Sequence, residues 1–77
     1  MQEKLLILRK RNGYSQEFVA KKLGMSTTQY GLKERGVYEF TADEMFKASA
    51  LFKKKIEDIF LPRGHQFGYK KEKEAAE

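Results

Sequence analysis

A chain of 77 residues holds one domain, and a core of that size leaves little stability to spare for a deep, elaborate active site. The absence of cysteine excludes a disulfide framework and any cysteine-based metal site, so helix packing must supply the stability. A formal charge of +5 favours polyanionic partners, nucleic acid first among them, while the lack of a long apolar run or a leader-like start excludes a membrane span and points to the cytoplasm.

In chain order, Leu5 and Leu8 set among charged residues give the spacing of an amphipathic helix over Gln2 to Arg11, which Asn12 and Gly13 end. Ser15 is a good cap for a second helix, with Phe18, Val19, Ala20 and Leu23 as its apolar residues. Gly24 breaks that run, and Ser26 caps a third helix from Thr27 to Arg35. Gly36 stops the third helix. Val37 to Phe40 is then a connector that Tyr38 and Phe40 are expected to pin to the body. Thr41 caps a fourth helix whose apolar stripe is Ala42, Met45, Phe46, Ala48, Ser49 and Phe52. Asp43 and Glu44 suit its first turn, and the basic run Lys53 to Lys55 suits its far end. A short fifth helix over Ile56 to Phe60 is stopped by Pro62. The expectation is an all-α domain over 1–62 and a tail over 63–77, flexible unless a partner orders it, with Phe67 and Tyr69 as its apolar anchors.

Leu8 and Arg9, Ser15 and Gln16, Val19 and Ala20, Leu23 and Gly24, Ser26, Tyr30, and Glu34-Arg35-Gly36 form a set of small, polar and apolar residues at fixed spacing. In this pattern, and in its closing segment Ile56 to Phe60, the chain resembles the lambda repressor and Cro type of helix-turn-helix family. The resemblance runs over most of Leu5 to Phe60 and implies a five-helix DNA-binding domain. The spacing also has a physical reason. Two helices crossing steeply need a small residue at their contact, here Ala20, and a residue tolerant of positive φ in the turn, here Gly24.

The resemblance places the third helix in the major groove, with Thr27, Thr28, Gln29 and Leu32 as base contacts. Gln29 suits an adenine edge, the threonines bond either way, and Leu32 suits a thymine methyl, so an A/T-containing half-site is expected. Gln16 and Ser26 match positions that hold phosphates, and Arg35 and Tyr38 continue that line across the groove. Arg9 and Glu34 match an internal ion pair that ties the first helix to the third, a structural rather than a DNA-contacting role.

Three positions depart from the pattern. Lys33 stands where the family usually has an apolar residue, so its stem is expected to lie along the core edge with the ammonium reaching outward toward phosphate. Gly31 interrupts the third helix, and Phe18 occupies a site usually polar and exposed. Regulation of transcription, by repression, is the function implied, on double-stranded DNA and as a homodimer joined through the fourth and fifth helices or the tail. The short chain is similar in scale to Cro-like phage regulators. The rival reading is an interaction module, an antitoxin or antirepressor, whose tail binds a protein partner. Enzymatic activity is not expected, because His65 stands alone in the tail without a nucleophile or a second ligand, and neither a metal nor a cofactor is called for.

Overall fold

The computed structural model describes residues 1–60. Pro62 and the segment 63–77, with His65, Phe67 and Tyr69, lie outside the described residues. Five helices follow one another: α1 (Glu3–Arg11), α2 (Gln16–Leu23), α3 (Thr27–Glu34), α4 (Ala42–Phe52) and α5 (Ile56–Ile59). No strand occurs among the described residues, so the domain is all-α.

Local chemistry fixes the helix ends. The Ser15 hydroxyl accepts from the Phe18 amide at 3.0 Å, and the Ser26 hydroxyl accepts from the Gln29 amide at 3.1 Å, each filling an amide that the first turn leaves unpaired. Gly24 closes α2 at φ +81°, a left-handed conformation that costs a glycine nothing. Thr41 and Glu44 cap each other reciprocally at the start of α4, at 2.9 and 3.2 Å. The end of α4 is less ordinary: Lys53 takes φ +57° in place of a glycine.

The core comprises Leu5 and Leu8 of α1, Val19, Ala20 and Leu23 of α2, Tyr30 of α3, Ala48 and Phe52 of α4, Ile59 of α5, and the flanking Phe40 and Phe60. Phe40 lies 6.0 Å from the Tyr30 ring and 5.0 Å from Phe60, and so holds the α3–α4 connector down. Tyr38 does not share that work. It is 58% exposed, because only one of the two aromatics reaches the core from so short a loop. Helix α4 also corrects the stripe expected of it. Ala48 and Phe52 are buried with Met45 and Ser49 beside them, whereas Ala42 is exposed and Phe46 is 64% exposed. At about 100° per residue Phe46 falls roughly 160° around the helix from Ala48, on the outer face.

Gly31 is buried on the side of α3 that meets the start of α2. A methyl group there would meet the Gln16 amide oxygen at 3.8 Å, an ordinary contact. Gly31→Ala is therefore expected to stabilise the fold by about 1 kcal/mol through helix propensity, read as a raised urea midpoint with an unchanged slope. A lowered midpoint would show that α2 and α3 need the bare backbone to approach.

Candidate nucleic-acid interface

Helix α3 is presented from below by a single carboxylate. Glu34 is 3% exposed and gathers three side chains from three helices. Arg9 donates from Nε to Oε2 at 2.8 Å and from Nη2 to Oε1 at 3.3 Å. The Tyr30 hydroxyl donates to Oε2 at 2.7 Å, and Gln16 Nε2 donates to Oε1 at 2.9 Å. Arg9 also donates to the Tyr14 carbonyl at 3.0 Å, so its guanidinium is fixed at both ends.

Burial alone would raise the Glu34 pKa, but the hydrogen bonds from Arg9, Tyr30 and Gln16 outweigh it and hold the carboxyl below its ordinary range. The hydrogen bond to Glu34 raises Arg9 in turn, against its own burial. Tyr30 is pushed above the usual phenol range, first by burial and then by its bond to the carboxylate. All three are therefore in their usual charge states at neutral pH.

The sequence pattern joined Arg9 to Glu34 but missed two of the four members of this cluster. Tyr30 and Glu34 stand four apart on one helix, a spacing that puts them on one face and was available as a signal. Gln16 gave none, because its contact depends on how α2 crosses α3. In the structure Gln16 is half-buried with its amide nitrogen engaged by Glu34, so its carbonyl end is the part left for other contacts.

On the outer side of α3, Thr27, Thr28 and Gln29 are exposed along the first turn and Leu32 is half-buried one turn on. Ser26 caps the same end. Arg35 and Tyr38 are exposed beyond the other end. The structure thus puts Ser26 to Gln29 together at one tip of α3, with Arg35 and Tyr38 at the other and Gln16 beneath.

Lys33 departs from expectation. Its ammonium does not reach outward but bonds Glu44 Oε1 at 2.7 Å, with only 14% of the side chain exposed. The reason lies in α4: Glu44 is already turned back over its own N-terminus by the Thr41 cap, which sets its carboxylate against α3. Burial opposes that ionisation, but the bonds from Lys33 and Thr41 keep Glu44 below the ordinary carboxyl range. Phe18 is 38% exposed and stacks on Tyr14 with ring centroids 4.6 Å apart, with the Lys22 ammonium 5.3 Å from its ring.

The described residues hold no group of three or more potential metal ligands, and no helix among them is long and apolar enough to cross a membrane. A helix-turn-helix family model matches residues 5–59. The chain is also 39% identical over 61 residues to an uncharacterized HTH-type transcriptional regulator of Methanocaldococcus jannaschii, a match that covers 79% of this chain and 92% of that protein. No solved structure matches the chain. The order of five helices, the capped turn between α2 and α3 and these similarities together show that the chain belongs to the lambda repressor-like helix-turn-helix family of DNA-binding proteins.

Proposed function

We propose that this protein is a sequence-specific transcriptional regulator that reads the major groove with α3 and represses by occupying its site. The observation that carries the reading is the first turn of α3. The side chains of Thr27, Thr28 and Gln29 are exposed side by side and make no hydrogen bond to another described side chain, while the same helix is fixed from below by the Glu34 cluster. Reading requires such a division between free donors and a rigid mount. The M. jannaschii relative, named a transcriptional regulator, supports the same role.

In this reading Thr27, Thr28, Gln29 and Leu32 meet base edges, and Gln16, Ser26, Arg35 and Tyr38 hold phosphates. The protein acts as a homodimer, because one such domain spans too few base pairs for selectivity.

Selection of bound duplexes from a random pool at near-physiological salt tests the reading, repeated with Thr28→Ala and Leu32→Ala. The expected result is a pair of two-fold related half-sites about 34 Å apart, with preference at individual positions relaxed by about 1–3 kcal/mol in the variants. No enrichment, or the same motif from all three proteins, would remove α3 as the reader.

A further inference from the structure

A groove of about 260 Å³ runs along α1, lined by Lys4, Ile7, Leu8 and Arg11 from that helix and by Lys54 and Asp58 across from it. It lies on the flank of α1 turned away from α3. Arg9, which meets Glu34, stands about 140–160° around the helix from Lys4, Ile7 and Arg11. The groove floor is apolar and open: Ile7 is 52% exposed and Leu8 lies beside it at 9%. Its rim is basic. The two salt bridges among the described residues are Arg9 with Glu34 and Lys33 with Glu44, so Lys4, Arg11 and Lys54 face no carboxylate within bonding range, and Asp58 leaves the rim two positive charges in excess.

We propose that this groove docks an acidic segment of a partner protein, one that carries apolar side chains between its carboxylates. Charge complementarity selects the acidic character, and the exposed isoleucine between the cations selects the apolar one. Duplex DNA satisfies only half of that description: its phosphates suit the lysines and the arginine but leave Ile7 uncovered and meet Asp58. From Lys4 to Arg11 the stripe runs seven residues, about 10 Å or two helical turns, which suits a peptide laid along α1. Because the groove is turned away from α3, the domain holds this partner while seated on DNA. The site gives the regulator a second function, recruitment, that is separate from reading.

The test uses the full chain and two labelled Glu-rich peptides, one carrying two leucines a helical turn apart and the other carrying serines in their place. Fluorescence anisotropy is expected to show the leucine peptide binding at least about tenfold more tightly than the serine one, with both affinities falling as salt is raised while the ratio between them is kept. Ile7→Ser is expected to abolish the leucine preference, and Arg11→Glu to weaken both peptides. Ile7 is exposed, so its replacement leaves the fold intact, which circular dichroism checks, and the duplex affinity of Ile7→Ser is expected to stay within about twofold of the parent.

Four results would overturn the proposal. Equal binding of the two peptides would reduce the groove to unspecific charge attraction, and no binding would leave it without this occupant. Displacement of the peptide by duplex DNA would move the peptide to the α3 face, and displacement by octanoate at similar concentration would assign a small amphiphilic carboxylate instead.

Discussion

Arg9→Met is expected to lower the unfolding free energy by about 3–5 kcal/mol, as removal of one partner from a buried ion pair does when the other stays charged. Glu34 would keep Tyr30 and Gln16 as donors but lose the only cation among the described residues that meets it, in a position 3% exposed. Against a total stability of about 5–15 kcal/mol for a small domain, much of the fold's margin goes with it. Urea denaturation reads the loss. The companion variant Arg9→Met/Glu34→Met is expected to recover a large part of it, because no stranded charge remains. A double variant no better than the single one would mean that the pair contributes through packing rather than charge.

The same carboxylate carries an acid dependence. Glu34 and Glu44 both sit below their ordinary range in the folded chain, so the unfolded chain binds more protons than the folded one as pH falls. Their contribution is present above the ordinary carboxyl value of about 4.3 and is lost as pH drops through the lower folded values. Glu34→Gln is expected to be less stable than the parent at neutral pH and to show a flatter decline in acid.

The second large effect concerns Ala20, which is completely buried in the helix that packs on α3. Ala20→Leu adds three carbons at a position that is completely buried, and overpacking of a well-packed core costs about 1–3 kcal/mol. The consequence for DNA is expected to exceed the consequence for folding. If α3 reads the groove as proposed, a displaced α3 loses its register with the bases, and duplex affinity is expected to fall by at least about tenfold at a temperature where the variant is still folded. Ala20→Gly separates the two effects, losing about 1 kcal/mol of helix propensity while keeping the close approach, with duplex affinity nearly unchanged. If the leucine variant binds duplex as the parent does, the crossing angle is not what positions the reader.

What the sequence makes legible is what short-range chemistry decides. Ser15, Gly24, Ser26 and Thr41 act on amides and carbonyls within a few residues, so their spacing is enough to place the helix ends. Contacts between helices are another matter. Lys33 finds Glu44 eleven positions away only because α4 is capped in one orientation against α3, and no periodicity in either helix carries that information. Phe46 shows the other failure, since a phenylalanine in an amphipathic run is assigned to the core by residue type, while its angle around α4 turns it to solvent. The outer side chains of α3 belong to a third class: resemblance picks them out, Thr27, Thr28 and Gln29 are exposed and Leu32 is half-buried, and no contact within the chain marks them as a site.

The side chains at the exposed tip of α3 and those beneath it are divided between two tasks with little overlap. The side chains of Thr27, Thr28 and Gln29 make no hydrogen bond to another described side chain, while Arg9, Tyr30 and Glu34 engage one another. A library that randomises the three outer positions would therefore yield mostly folded proteins, and, on the function proposed above, each would be addressed to a different site, with α3 an exchangeable key on a fixed grip.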